Sequence, residues 1–308
     1  MLLAGTAGEV VNGTDEERFH KWSGIGPIFP RYPFKKDCRW TPWKVTKGLS
    51  KLVQPFDLCV MNEPDFVSDT IVTTGQWGDC LPLIDMWTKV KDNHPQLGSP
   101  LYVDIGANIG SCSMMMLNAG AEVISIEPVP QSAYYYTRSI LALPDVSKKD
   151  KVKVYNVGCG RDYSTHQIFV AATNAGQAML DKPGNPIAQE ASTNVSIVPC
   201  DDLLWPGRLR GEKPPHIAVL KIDVEGYEPV AFEGLKELFK AKAIRSIKTE
   251  LSHRWLSYQN TTASGYCNLL MDLGFELFFK NGTFCTLDDC YKYNTLDKEV
   301  DIIGYLKS

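Results

Sequence analysis

The segment YVDIGANIGSCSMMML, residues 102–117, and the later segment VISIEPVP, residues 123–130, contain the pattern that decides the fold. In each segment a short apolar run ends in an acid, Asp104 in the first and Glu127 in the second. Gly106 and Gly110 follow the first acid and lead into a helix-compatible stretch. A strand, a glycine turn, a helix and a second strand form a βαβ unit, which is the building block of a parallel sheet.

Seven short apolar runs extend this pattern to the end of the chain, and helix-compatible segments separate most of them. The runs cover residues 101–106, 122–127, 152–157, 216–223, 244–251, 275–280 and 301–306. A loop without a clear helix separates the last two runs, which predicts an antiparallel pair at the end of the sheet. The predicted fold is therefore α/β, with a Rossmann-like sheet of seven strands that is mostly parallel and has its last strand antiparallel.

The regular pattern also predicts the domain organisation. Residues 1–64 are rich in glycine, proline and tryptophan, as in SGIGPIFPRYPFKKDCRWTPWK, and predict an irregular N-terminal extension. Residues 65–308 form the main domain, with an insertion at about 163–200. Within the insertion, THQIFVAA and NVSIVPC predict two strands around a polar loop.

The spacing of the two glycines restricts the ligand. Gly106 and Gly110 form G-x-x-x-G, whereas a dinucleotide site requires G-x-G-x-x-G and a P-loop requires G-x-x-x-x-G-K-[ST]. A carboxylate such as Glu127, at the end of the second strand, can accept both hydroxyls of a free ribose, and Asp104 offers an acid to a cationic group. A nucleoside with a cationic group and no pyrophosphate fits S-adenosylmethionine. The alternative is an ordinary βαβ turn without a ligand.

Several blocks in order give the chain a more specific resemblance, over roughly residues 65 to 306. They are DFVSDTIVTTGQWGD, VDIGANIGSCS, ISIEPVP, YNVGCGRD, VPCDDLL, LKIDVEGYEPVAFEGL and IKTELSH. In these blocks the sequence resembles class I methyltransferases, and more narrowly the FkbM-type family. The segment VGCGRD differs from the family's more common pattern, in which a small and an apolar residue precede Ser-Asp.

The resemblance implies methyl transfer from S-adenosylmethionine, usually to an oxygen of a sugar or natural product. It also implies the cofactor contacts. The first cofactor loop would contain Asp104, Gly106, Ala107, Asn108, Gly110 and Ser111. Glu127 would hold the ribose, and the adenine would lie beside Pro128, Val129, Gly158 and Cys159.

Catalytic candidates follow the later strands, because ligands of such sheets bind at the carboxyl ends of strands. Asp223 and Glu225 follow the fourth strand; Asp223 would bind the cofactor's amino group or take the acceptor's proton, and Glu225 would do either or cap the next helix. Glu250 and His253 end the fifth strand, where His253 is a candidate base or an ordinary loop histidine. Asp223, Glu250 and His253 could also hold a divalent metal, although no metal site is predicted.

Charge and composition restrict the partners. The chain has a formal net charge of −4 and no basic run, which favours a small-molecule or glycan acceptor over nucleic acid. No apolar run is long enough to predict a membrane span. The competing functions are an inactive methyltransferase-fold interaction module and a nucleotide-dependent oxidoreductase. The sequence leaves the oligomeric state open.

Cysteines and glycosylation sequons bear on the compartment. The chain has nine cysteines, so at least one is unpaired, and Cys285 and Cys290 are close enough in sequence to pair. Sequons of the form N-x-S/T begin at Asn12, Asn194, Asn260 and Asn281. We expect a cytoplasmic protein, and a secretory-pathway lumen is the alternative if the native N-terminus is longer.

Overall fold

A computed structural model of the protein describes residues 37–45, 52–95, 100–171, 174–180, 191–295 and 298–307. Its strands, in chain order, are β1 (Arg39–Pro42), β2 (Asp57–Val60), β3 (Leu101–Ile105), β4 (Glu122–Ile126), β5 (Val152–Tyr155), β6 (Gly158–Cys159), β7 (Ser164–Ala171), β8 (Asn174–Leu180), β9 (Ala191–Val198), β10 (Ile217–Ile222), β11 (Ile244–Ser252), β12 (Phe275–Phe279) and β13 (Glu299–Leu306).

The helices cover both faces of the main sheet. They are α1 (Phe66–Thr74), α2 (Leu81–Asn93), α3 (Ser111–Asn118), α4 (Pro130–Leu141), α5 (Val146–Lys149), α6 (Cys200–Leu204), α7 (Glu228–Glu233), α8 (Lys236–Lys240), α9 (His253–Ser257), α10 (Ala263–Asp272) and α11 (Leu287–Lys292). Across the described residues, no helix has the length and apolar character needed to cross a bilayer.

The central sheet has the strand order β12-β13-β11-β10-β3-β4-β5. Neighbouring strands from β11 to β5 pair in parallel, whereas β13 runs antiparallel to both β11 and β12. Each of the seven apolar runs in the sequence forms one strand of this sheet. The predicted seven-stranded α/β fold with an antiparallel last strand is therefore confirmed.

Burial on both faces explains why the central strands are continuously apolar. All six residues of β10 are buried. Successive side chains of a strand point to opposite faces, so Tyr102 packs with helices α2 to α4, and Val103 packs with the core on the other face. The sheet is thus a rigid central layer whose carboxyl edge presents the loops between strands and helices.

The turn from β3 into α3 has a backbone that requires its glycines. Gly106 and Gly110 have φ of +82° and +76°, in the left-handed region that glycine adopts readily. A Cβ at Gly106 would lie 1.8 Å from the carbonyl oxygen of Asp223, and one at Gly110 would lie 2.0 Å from the Tyr136 ring. The two glycines therefore allow this turn to lie close to β10 and α4.

The structure corrects the connection between the last two strands. The sequence predicts a loop there, but α11 forms between β12 and β13. Thr286 accepts a hydrogen bond from the Asp289 backbone, and the Asp289 carboxylate accepts one from the Thr286 backbone, which makes a capping box. The helix has only six residues, too few for helical periodicity to be visible in the sequence.

The insertion forms a second sheet in the order β6-β9-β7-β8. The sequence predicts β7 and β9 but misses β8, which reads NAGQAML and has neither strict alternation nor β-branched residues. Residues 181–190, which form the middle of the predicted polar loop, lie outside the described residues.

The described part of the N-terminal extension is more regular than predicted. β1 and β2 pair antiparallel, so the expectation of an irregular segment is wrong for these residues. Trp43 stacks on Phe56 with ring centroids 5.4 Å apart, and the backbone N–H of Cys59 donates to Ser139 Oγ in α4 at 2.9 Å. The extension therefore packs on the main domain here, while residues 1–36 and 46–51 lie outside the described residues.

The structure has four disulfides: Cys38–Cys59, Cys80–Cys112, Cys159–Cys200 and Cys267–Cys290. The ninth cysteine, Cys285, is free and buried. The pairing of Cys285 with Cys290 that their spacing suggests is wrong, because α10 brings Cys267 against α11 and Cys267 takes Cys290 as its partner. Cys285 Sγ nevertheless lies 3.5 Å from Cys290 Sγ.

Candidate active site

A cavity of about 300 Å³ opens at the carboxyl ends of β3, β4, β10 and β11. This is the edge at which open α/β sheets bind ligands. Most predicted site residues line it: Gly106, Ala107, Asn108, Ser111, Glu127, Pro128, Gly158, Cys159, Asp223, Glu225 and Glu250. The structure thus brings together residues that lie more than a hundred positions apart in the chain.

Asn108 and Glu127 join the first two loops of the site. The backbone N–H of Asn108 donates to Glu127 Oε2 at 2.7 Å, and that of Val129 donates to Glu127 Oε1 at 2.7 Å. Burial raises the pKa of Glu127 to about 7, although both hydrogen bonds act in the opposite direction. Asn108 Oδ1 is buried and has no hydrogen-bond partner among the described residues. A ligand with a donor group would satisfy it.

Asp104 does not reach the cavity, although the sequence places it in the cofactor loop. Its side chain is fully buried; Ser113 Oγ donates to Asp104 Oδ2 at 2.6 Å, and Lys221 Nζ lies 3.3 Å from Oδ1. Asp104 therefore supports the site from beneath and has no direct path to a ligand. The side chain that occupies the position between it and the cavity is Lys221.

Lys221 is the principal charged residue that the sequence analysis missed. It is buried in the middle of the site, where its Nζ lies 3.4 Å from Asp223 Oδ2 and donates to the carbonyl oxygen of Gly106 at 3.2 Å. Burial alone would lower the pKa of Lys221, but the carboxylates of Asp104 and Asp223 outweigh it and raise the pKa. Lys221 is therefore charged and fixes both the glycine loop and Asp223.

Acids dominate the other wall of the cavity, where Glu299 joins the predicted Asp223, Glu225 and Glu250. Burial, followed by the carboxylates of Asp223 and Glu299, raises the pKa of Glu250 to about 10. Burial and the Asp223 carboxylate raise the pKa of Glu225 well above its usual value. Such a wall favours a ligand that brings positive charge.

Three other predicted residues lie outside the lining. Gly110 and Val129 belong to the loops after β3 and β4 but do not face the cavity. Gly110 packs against Tyr136, and the backbone N–H of Val129 donates to Glu127. His253 is the first residue of α9, and its Nδ1 is buried without a partner among the described residues. His253 therefore does not line the cavity, and its use as a base stays a prediction.

The insertion sheet closes one end of the cavity. Ile197 Cδ1 would lie 2.4 Å from a Cβ on Gly158, and Pro128 Cβ would lie 3.7 Å from it. Further apolar side chains of the insertion line the same end: Ile168, Ala178, Met179 and Leu180. Cys159, which the resemblance places beside the adenine, is held there by its disulfide to Cys200.

Aromatic residues of the N-terminal half also line the cavity, close to the insertion, because α1 contacts β8. Phe66 and Trp77 line the cavity and meet edge to face, with ring centroids 5.8 Å apart. Phe66 is 59% exposed, so it lies at the mouth. Asp79 also lines the cavity, and Lys280 Nζ donates to its Oδ1 at 2.8 Å.

Two of the missed residues had a signal in the sequence. Lys221 is a charged residue inside the apolar run HIAVLKID, where a buried charge requires a partner. Glu299 begins β13, and the start of an antiparallel strand lies at the carboxyl ends of its neighbours; Glu299 pairs with Ser252 at the end of β11. The insertion residues carry no comparable signal.

The strand order, the antiparallel β13 and the site at the carboxyl edge define a class I methyltransferase fold. The chain matches the methyltransferase FkbM domain over residues 104–277, more than half of its length. The chain therefore belongs to the FkbM methyltransferase family.

Solved structures with a similar fold include methyltransferases of several kinds. The methyltransferase FkbM from Methylobacillus flagellatus is 16% identical with a TM-score of 0.41, and the match covers 67% of this chain and 44% of that chain. Magnesium protoporphyrin IX methyltransferase from Synechocystis, solved with bound S-adenosylmethionine, is 10% identical with a TM-score of 0.40, covering 79% of this chain and 84% of that one. A search of curated protein sequences found no match.

Proposed function

We propose that the protein transfers a methyl group from S-adenosylmethionine to a hydroxyl oxygen of a sugar, a glycan or a small metabolite. The observation that carries the proposal is the junction of the glycine loop and Glu127 at the ends of β3 and β4, which opens into the same cavity as Asp223. The residues expected to bind the cofactor and the acidic residues expected to bind the acceptor thus line one cavity.

The residues present fit the cofactor. Glu127 would accept the ribose hydroxyls, Asn108 Oδ1 offers an unused acceptor, and Gly106 leaves the backbone free of a side chain at the loop. Pro128, Gly158 and the apolar insertion residues fit an adenine ring. When bound, S-adenosylmethionine supplies an electrophilic methyl group on a sulfonium, and this positive charge complements the acidic wall.

Asp223 is the best-placed side chain to accept the acceptor's proton. It lines the cavity, its side chain is 36% exposed, and Lys221 holds it from the buried side. Glu225 and Glu250 carry raised pKa values and are therefore suited to donate hydrogen bonds or to balance a cation. Removal of the hydroxyl proton as the methyl is transferred is general-base catalysis.

The mouth of the cavity supports a sugar as the acceptor. Phe66 and Trp77 provide aromatic faces on which the C–H face of a pyranose can pack, and the carboxylates nearby accept hydrogen bonds from hydroxyls. This combination suits a ring that carries several hydroxyl groups. It also explains why the cavity needs both apolar and acidic walls.

The test is transfer of a labelled methyl group from S-adenosylmethionine to a panel of sugars, hydroxylated metabolites, amines and thiols. For an accepted sugar, Trp77→Ala should raise KM with a smaller effect on kcat, and Asp223→Asn should lower kcat. Trp40→Ala is the matched control, because Trp40 is 44% exposed and lies outside the cavity. Labelling of amines or thiols with no labelled hydroxyl would contradict the proposal.

A further inference from the structure

The disulfide pattern of the protein indicates where it folds. Eight of the nine cysteines are paired, with Cα–Cα distances between 4.9 and 6.5 Å. The partners lie 21 to 41 residues apart in sequence, so each bridge connects separate elements. Disulfides of this number form and persist in oxidising compartments and are rare in a reducing cytosol. The pairing therefore favours the secretory-pathway alternative over the cytoplasm.

The glycosylation sequons give a second and independent observation. Asn194, Asn260 and Asn281 are all exposed in the structure. Each is followed two positions later by a hydroxyl residue, and no proline stands between. The fourth sequon, at Asn12, lies outside the described residues. An asparagine that bears a glycan must be at the surface, because the oligosaccharide is bulky and hydrated.

We propose that Asn194, Asn260 and Asn281 carry N-linked glycans, added while the chain matures in an oxidising secretory compartment. Two of these asparagines, Asn260 and Asn281, lie in turns, where a glycan has the most room. Asn260 follows α9 and has φ of +54°. Asn281 lies after β12, where its Oδ1 accepts a hydrogen bond from the Thr283 backbone at 3.0 Å. That bond uses the amide oxygen and not the nitrogen that receives the sugar.

The glycans are compatible with the methyltransferase site. None of the three asparagines lines the cavity, although Asn260 directly follows Gln259, which does. Asn194 lies on β9, the strand between β6 and β7, and its side chain is exposed. The proposal is independent of methyl transfer.

The chemistry requires an oligosaccharide diphosphate lipid as donor. The side-chain amide nitrogen of asparagine forms a bond to C1 of the first sugar and gives up one proton to solvent. The bond between C1 and the diphosphate oxygen breaks, and the lipid diphosphate leaves with the electron pair. No oxidation or reduction accompanies the transfer.

The experiment uses the endogenous protein, immunoprecipitated from the cells that produce it and treated with peptide-N-glycosidase in heavy-oxygen water. The enzyme converts each glycosylated asparagine to a labelled aspartate, so peptide mass spectrometry should find labelled aspartate at positions 194, 260 and 281. Unmodified asparagine at all three positions would overturn the proposal, whatever the state of the cysteines.

A matched pair of variants assigns one site without changing the asparagine. In the same cells, Thr283→Ala should remove the glycan on Asn281 and increase electrophoretic mobility by one glycan. Thr283→Ser keeps the sequon and should keep the glycan. Equal mobility of the two variants and the wild type, before and after glycosidase, would exclude Asn281.

Discussion

The charge on Lys221 holds together the two parts of the site. Its Nζ lies within 3.4 Å of carboxylate oxygens of Asp104 and Asp223, and the side chain is only 5% exposed. A buried charge with its partner removed is costly, because no water replaces the lost partner. Lys221 is thus required both for the fold and for the position of Asp223.

Substitution of Lys221 by methionine preserves the length of the side chain and removes its charge. We expect Lys221→Met to lower the free energy of unfolding by about 3–5 kcal/mol, because the Asp104 carboxylate is left buried without a cation. Chemical denaturation measures this. Lys240→Met is the control, since Lys240 forms an exposed pair with Glu237 and should cost less than about 0.5 kcal/mol. Equal effects of the two substitutions would contradict the assigned role of Lys221.

Glu127 predicts a pH dependence of cofactor binding. Ribose hydroxyls bind the ionised carboxylate, and burial raises the pKa of Glu127 to about 7 in the ligand-free protein, where Asp104 and Lys221 are the nearby charges. The affinity for S-adenosylmethionine should therefore increase as pH rises from 6 to 8, by up to about tenfold. Calorimetric titration across this range measures the effect.

The same pKa predicts the opposite trend for stability. The pKa of Glu127 in the folded protein lies above the ordinary glutamate value of 4.5, so the unfolded chain loses the proton first. This contribution to the free energy of unfolding is full below about pH 4.5 and is lost as pH rises towards 7. Glu127→Gln should flatten both trends; an unchanged pH profile of binding in that variant would show that another group is responsible.

At the scale of elements, α3 is fixed by two glycines with positive φ. Gly110 precedes its first residue with φ of +76°, and Gly120 follows its end with φ of +99°. A Cβ at Gly110 would lie 2.0 Å from the Tyr136 ring, whereas a Cβ at Gly120 would have no heavy atom within 4 Å. A side chain at Gly120 would therefore cost only backbone strain, whereas a side chain at Gly110 would cost backbone strain and a clash with Tyr136.

Alanine at each glycine tests this difference. Gly120→Ala should cost about 1–2 kcal/mol of unfolding free energy, from the backbone conformation alone. Gly110→Ala should cost about 1–3 kcal/mol more, because it displaces Tyr136, whose hydroxyl bonds Ser125 at 2.9 Å. Thermal and chemical unfolding compare the two. Equal losses of unfolding free energy in the two variants would contradict this, because they would mean that α4, with Tyr136, can move away from Gly110 at no energetic cost.

Strands buried on two faces could be predicted, whereas elements that depend on a partner strand or on a local cap could not. The strands of the main sheet are continuous apolar runs because both faces are covered, and the run of β10 illustrates this. β8 contains Gly176 and few strand-favouring residues, so its conformation depends on pairing with β7. α11 depends on the cap formed by Thr286 and Asp289, a local contact that periodicity does not detect.

For the whole molecule, the position of the site could be predicted from the sequence, but the interactions among its charged residues could not. Glu127 and Asp223 could be predicted because they directly follow strands of a parallel sheet. The exclusion of Asp104 from the cavity depends on Lys221, which reaches across from the neighbouring strand. Burial and the Asp223 carboxylate raise the pKa of Glu250, and Glu299, which enters from the antiparallel β13, adds to them. Contacts between distant strands of this kind have no local sequence pattern.

We propose above that the glycine loop and Glu127 form a site for S-adenosylmethionine. The most direct measurement is calorimetric titration of the protein with S-adenosylmethionine and separately with NAD. We expect binding of S-adenosylmethionine, no response to NAD, and a weakening of about tenfold or more in Glu127→Gln. Glu122→Gln, at the exposed opposite end of the same strand, should bind like the wild type. Absence of S-adenosylmethionine binding by the folded protein, or equal binding by the two variants, would contradict it.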